Sequence, residues 1–126
     1  MHSKGRVLVV DDDEQVLDMT RQLLEKSGYE VRTASNTIGA GYLLGGFKPD
    51  LVVLDIMLPG SLSGDQACET LRELRPGVRI VFYSGIDETK LQQLADRHRA
   101  DAMISKGTRP SKLLATIEEL VGRKAN

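Results

Sequence analysis

The sequence predicts an α/β fold: five βα units, (βα)5, forming a doubly wound parallel sheet. Two observations carry this prediction. Short apolar runs rich in β-branched residues, Val7-Leu8-Val9-Val10 and Leu51-Val52-Val53-Leu54 foremost, alternate with segments of helical periodicity. Such alternation argues for parallel strands with helices packed on both faces. Both runs also end in acid, with Asp11, Asp12 and Asp13 after the first and Asp55 after the second. Ligand sites of open α/β sheets lie outside the carboxyl ends of the strands, so these acids are expected on one edge.

The elements follow in order. Arg6–Val10 reads as a strand. Gln15–Ser27 reads as a helix with Val16, Met19, Leu23 and Leu24 on one face and Gly28 as its stop. Tyr29–Ala34 is a more polar strand, as suits a sheet edge. Thr37–Leu44 has a helical pattern but carries Gly39 and Gly41, each costing about 1 kcal/mol against alanine, and is expected to be the softest helix. Gly45–Pro49 reads as a loop. Leu51–Leu54, apolar on both faces, is the central strand. A loop at Pro59–Gly64 precedes a helix at Asp65–Leu74. Arg79–Tyr83 is a strand, and Asp87–His98 a helix with Leu91, Leu94 and Ala95 inward. Ala102–Ser105 is a short strand. Pro110–Val121 is the last helix, opened by proline. Gly122 to Asn126 reads as a frayed tail.

Length and composition exclude several classes. At 126 residues, the chain is expected to be one domain spanning 1–126, with its core at about 6–121 and no effector domain. A net charge of −1 gives no basis for direct nucleic-acid binding. The single cysteine, Cys68, excludes an internal disulfide framework. No apolar stretch is long enough for a membrane span, and the N-terminus lacks the apolar core of a signal peptide. The expectation is a soluble, cytoplasmic protein.

Five strand ends should face the site. They offer Asp11, Asp12 and Asp13, then Asp55, then Tyr83-Ser84-Gly85, then Ser105-Lys106. Like charges about 4 Å apart repel by roughly 4 kcal/mol at an effective dielectric near 20, and a divalent cation would offset that cost. Carboxylates, a hydroxyl and an ammonium on one edge are the parts of a phosphoryl-transfer site. A carboxylate can accept a phosphoryl group as nucleophile. Mg²⁺ prefers oxygen ligands. Lysine and hydroxyl groups neutralise and orient phosphoryl oxygens.

With these motifs, the chain resembles the receiver domain of bacterial two-component response regulators, from Arg6 to about Val121. The matching segments are Val7-Leu8-Val9-Val10-Asp11-Asp12, Pro49-Asp50-Leu51-Val52-Val53-Leu54-Asp55-Ile56-Met57-Leu58-Pro59-Gly60, Tyr83-Ser84-Gly85 and Ser105-Lys106. The resemblance implies a flavodoxin-like sheet of strand order 2-1-3-4-5. It implies Asp55 as phosphoacceptor, with Asp11, Asp12, Asp55 and the backbone carbonyl of Met57 holding Mg²⁺. It implies that Ser84 and Lys106 contact the phosphoryl group, with Asp13 in a supporting role at most. The implied partners are a histidine kinase or histidine phosphotransfer protein upstream and a protein or effector domain on the face Asp87–Val121. Such a chain is a phosphoacceptor switch, without turnover of an external substrate.

Four departures from the family pattern stand out. Gly107 follows Lys106 where proline is usual, which predicts a trans peptide and a less tightly placed lysine. Met103 replaces the usual switch aromatic and is expected to pack in the core. The loop Pro59–Gly64 is one residue longer than usual. Arg109 stands where a capping aspartate is common, leaving Thr108 to cap the last helix. Met57 and Ile86, both apolar, flank the expected path of hydrolytic water, which predicts slow self-dephosphorylation.

Other readings give the same residues different work. Asp13 serves equally as a helix cap. Cys68 is expected partly buried, and His2 and His98 on the surface. Arg97-His98-Arg99 reads as a solvated helix end. A phosphorylation-independent interaction module would bind partners regardless of Asp55. A haloacid-dehalogenase-type phosphatase would need an Asp-x-Asp run followed by Gly or Val and Thr, of which Asp11-Asp12-Asp13-Glu14-Gln15 supplies only the carboxylates.

Overall fold

The computed structural model describes residues 3–58 and 64–122, with the side chain of residue 65 excepted. The elements are β1 (Arg6–Val10), α1 (Glu14–Lys26), β2 (Glu30–Ala34), α2 (Thr37–Phe47), β3 (Leu51–Leu54), α3 (Gly64–Leu74), β4 (Arg79–Ser84), α4 (Glu88–Arg97), β5 (Ala102–Ser105) and α5 (Pro110–Gly122). All pairings are parallel and the strand order is β2-β1-β3-β4-β5, the (βα)5 topology predicted. The chain turns one way from β1 to β2 and the other way to β3. The crevice of this fold opens at that reversal, at the ends of β1 and β3.

Alternation along the strands divides the core in two. Leu8, Val10, Val52, Leu54, Ile80 and Phe82 face one side, where residues of α2, α3 and α4 cover them. Val7, Val9, Leu51, Val53, Val81 and Ile104 face the other, covered by α1 and α5. A sheet buried on both faces explains why β1 and β3 read as unbroken apolar runs.

Several expectations need correction. In α1 the buried residues are Leu17, Thr20 and Leu24, while Met19 is 67% exposed. Two stripes of helical spacing compete there, and the sheet took the one containing a threonine. Val16, Met19 and Leu23 instead line a groove against α5. Helix α2 does not stop at Leu44 but runs through Gly45 and Gly46 to the buried Phe47. Lys48 then closes it in a left-handed conformation, φ 55°. Two helical glycines cost about 2 kcal/mol, and burying a phenylalanine returns about as much, with Arg6 and Arg32 over its ring in addition. Cys68 is fully buried. His98 is not a surface residue, since its side chain is only 14% exposed and its Nδ1 lies 3.6 Å from Glu69 Oε1. The Arg97-His98-Arg99 turn is tied down, because the Arg72 guanidinium donates to the carbonyls of His98 and Arg99. Thr108 does not cap α5: its hydroxyl donates backwards to the Ser105 carbonyl at 2.7 Å and accepts no N–H from the helix among the described residues.

Met103 packs against the α2–α3–α4 core, as expected of a core residue. Apart from Gly64, which opens α3, the loop read at Pro59–Gly64 lies outside the described residues. So do His2 and the tail beyond Gly122. No helix among the described residues is long and apolar enough to cross a membrane.

Candidate phosphoryl-transfer site

The register builds the site. Val10 pairs with Leu54 across β1 and β3, so Asp11 and Asp55, the next residues, emerge side by side. Both are buried, whereas Asp12 faces solvent. One carboxylate oxygen from each of Asp11, Asp12 and Asp55 lies within 4.8 Å of the others. Local backbone donors fix the two buried acids. The Asp13 N–H donates to Asp11 Oδ1 and the Met57 N–H to Asp55 Oδ1, both at 2.9 Å. Each is a turn in which an aspartate accepts from the backbone two residues on. Asp13 caps α1, accepting from the N–H groups of Gln15 and Val16; the capping alternative for that residue is the observed one.

Lys106 completes the cluster. Its Nζ sits 2.7 Å from Asp11 Oδ2 and 3.1 Å from Asp55 Oδ2. The expectation of a loosely placed lysine is therefore wrong. The Lys106 N–H donates to the Ser84 carbonyl at 2.8 Å, which anchors the backbone directly, and Gly107 follows in a trans linkage. Three carboxylates and one ammonium leave the cluster with a net charge of −2.

The titration directions reflect this crowding. Burial pushes the Asp11 carboxyl above its ordinary range and the Asp55 charge adds to it, while Lys106 and the Asp13 N–H oppose. For Lys106, burial works against the charge, but its close pairing with the Asp11 and Asp55 carboxylates outweighs burial and raises its pKa. Ser84 is fully buried at the end of β4. Its hydroxyl accepts from the Ile86 N–H at 3.4 Å and makes no bond to Asp55. Met57 has a 62% exposed side chain at the rim of the site.

The donor set fits a hard divalent cation. All three ligand atoms are carboxylate oxygens, the type Mg²⁺ prefers. Asp11 Oδ2 is buried and faces the ammonium without a well-directed hydrogen bond, so it has capacity for a further positive ligand. The residual −2 matches one such ion.

A profile of the response regulator receiver domain matches residues 7–118. The chain belongs to the response regulator receiver domain family. The receiver is 35% identical over 118 residues to the alkaline phosphatase synthesis transcriptional regulatory protein PhoP of Bacillus subtilis (strain 168), covering 94% of this chain and 49% of that protein. It is 35% identical over 121 residues to the phosphate regulon transcriptional regulatory protein PhoB of Pseudomonas aeruginosa, covering 93% and 52%. The chain thus spans about half the length of these curated relatives. Among solved structures, a CheY-like receiver domain protein of Methanospirillum hungatei JF-1 superposes with a TM-score of 0.86 at 32% identity, covering 95% of both chains. A receiver domain is a phosphoacceptor that takes part in its own phosphorylation, with no external substrate to turn over.

The structure brings together Asp11, Asp12, Asp55 and Lys106. Ser84 sits at the neighbouring strand end with its hydroxyl turned to Ile86. Tyr83 was placed at a strand end by the sequence, but its contact with the lysine was not: its ring lies under the Lys106 ammonium. Strand alternation contained the signal, since the residue before Ser84 must face the opposite side of the sheet.

Proposed function

We propose that Asp55 is the phosphoacceptor of this receiver domain and that phosphorylation there switches partner binding. The observation that carries the proposal is the Lys106 ammonium bridging Asp11 and Asp55 in a cluster of net charge −2. Asp11, Asp12, Asp55 and the Met57 carbonyl would hold Mg²⁺, which neutralises charge on the phosphoryl oxygens when bound. The donor is a phosphohistidine on a histidine kinase or histidine phosphotransfer protein. Its N–P bond breaks as an O–P bond forms to an Asp55 oxygen, and the imidazole leaves. The Met57 N–H holds Oδ1 and the Lys106 ammonium holds Oδ2, so the carboxylate is fixed in orientation from both oxygens. Lys106 then keeps its charge on the product oxygens.

Ser84 supplies the link to output. Its hydroxyl accepts from the Ile86 N–H and keeps its own O–H to donate, so turning that proton to a phosphoryl oxygen ties the site to the chain just before α4. Helices α4 and α5 lie on opposite faces of the sheet and straddle the edge strand β5. That arrangement supports the face Asp87–Val121 as the surface presented to a downstream protein or effector domain.

Intact mass after incubation with Mg²⁺ and acetyl phosphate tests the reading. One added phosphoryl group is expected, lost with Asp55→Asn and with a chelator. Partner binding that is unchanged by Asp55→Asn, with no adduct under any donor, would replace this reading with a phosphorylation-independent module.

A further inference from the structure

Tyr83 and Ser84 are neighbours on β4 and point to opposite faces. Ser84 borders the acidic crevice. Tyr83 packs on the side covered by α1 and α5. There the Lys106 Nζ lies over its ring, 5.8 Å from the centroid, within reach of a cation–π attraction. Beside them runs a groove of about 440 Å³ between α1 and α5, lined by Val16, Met19, Pro110 and Leu113 together with Tyr83 and Lys106 themselves. The lysine therefore stands between two environments. Its ammonium reaches the carboxylates, and its flexible stem borders open space into which it could withdraw.

We propose that Tyr83 is a positioning residue for Lys106, its ring holding the ammonium at the mouth of the groove and over Asp11 and Asp55. The inference rests on the reading of Asp55 as phosphoacceptor. The physical need is specific. The oxygens that hold Lys106, Asp11 Oδ2 and Asp55 Oδ2, belong to the same carboxylates that suit a cation. When those carboxylates turn to a cation, Lys106 loses part of its hold, and the aromatic face is the one attraction for which the cation does not compete. The phenol hydroxyl has no part in this, so phenylalanine should substitute and an aliphatic residue should not.

The test compares wild type with Tyr83→Phe, Tyr83→Leu and Tyr83→Met, the last being a second ringless variant should leucine unfold the domain. Two quantities are measured: the Lys106 ε-methylene NMR signals without Mg²⁺, and the acetyl phosphate dependence of Asp55 phosphorylation with Mg²⁺. Wild type and Tyr83→Phe should show Lys106 signals shifted upfield by the ring current. The ringless variants should lose that shift and reach a maximal phosphorylation rate about three- to tenfold lower, with the half-saturating donor concentration little changed. An unshifted Lys106 in wild type, or a folded ringless variant phosphorylated at the wild-type rate, overturns the proposal. Wild type that takes no phosphoryl group yet shows the upfield shift overturns the acceptor reading and leaves the Tyr83–Lys106 contact standing.

Discussion

Replacing Asp11 by asparagine changes the charge of the site while keeping its shape. With oxygens within 4.8 Å of one another, Asp11 is repelled by Asp12 and Asp55 by at least about 3.5 kcal/mol each at an effective dielectric of 20. The Lys106 ammonium at 2.7 Å attracts it by about 6 kcal/mol on the same footing. These terms nearly cancel, so burial decides the sign, and burial disfavours the charge. Metal-free Asp11→Asn should therefore melt higher than wild type at neutral pH. Mg²⁺ should show the opposite preference. An ion centred among three oxygens so spaced lies roughly 2.8 Å from each, where one unit charge attracts it by about 3 kcal/mol even at the dielectric of water. Losing that charge should weaken Mg²⁺ binding by roughly a hundredfold. The assay is thermal unfolding with and without Mg²⁺ at about thirty times the wild-type Kd. Wild type should gain about 2 kcal/mol, or roughly 6–10 °C for a domain of this length. The variant should gain less than about 1 °C at the same concentration. An equal Mg²⁺ increment in the two proteins, or a lower metal-free midpoint for Asp11→Asn, would refute the charge argument.

Four further outcomes are expected. Asp13→Ala removes the cap that accepts from Gln15 and Val16 and should cost about 1 kcal/mol in denaturant unfolding; no loss would mean that water serves these donors as well. Phe47→Ala should cost about 3–5 kcal/mol and shorten α2, with early amide exchange at Gly45 and Gly46; exchange unchanged from wild type would show that Phe47 does not hold that last turn. Lys106 has a folded pKa raised above its ordinary 10.5, so its stabilising contribution is fully present below pH 10.5 and lost as pH rises through the folded value. Alkaline unfolding should accordingly be less steep in Lys106→Met, and identical slopes would contradict this. The phosphoryl group on Asp55 should persist for minutes or longer, because Met57 and Ile86 offer nothing to orient water; a half-life of seconds would exclude that account.

The sequence by itself determined the topology class and most of the site. β1, β3 and β5 were legible to the residue, and for β1 and β3 the reason is that an apolar run closed by an acid has one natural reading in a buried parallel sheet. Asp11 and Asp55 were legible because they follow such runs, and the register that pairs Val10 with Leu54 then forces them together. Tertiary structure decided what local pattern leaves degenerate. Two stripes of equal spacing run along α1, and only docking on the sheet chose Leu17, Thr20 and Leu24. The glycines at 45 and 46 favour a loop locally, and only the buried ring of Phe47 keeps them helical. Gly107 suggested a loose lysine, yet Lys106 is fixed by contacts from three other strands' ends: Asp11, Asp55 and the Ser84 carbonyl. A residue's neighbours in sequence set which conformations are cheap. Contacts distant in sequence, each worth as much as the local preference they oppose, select among them.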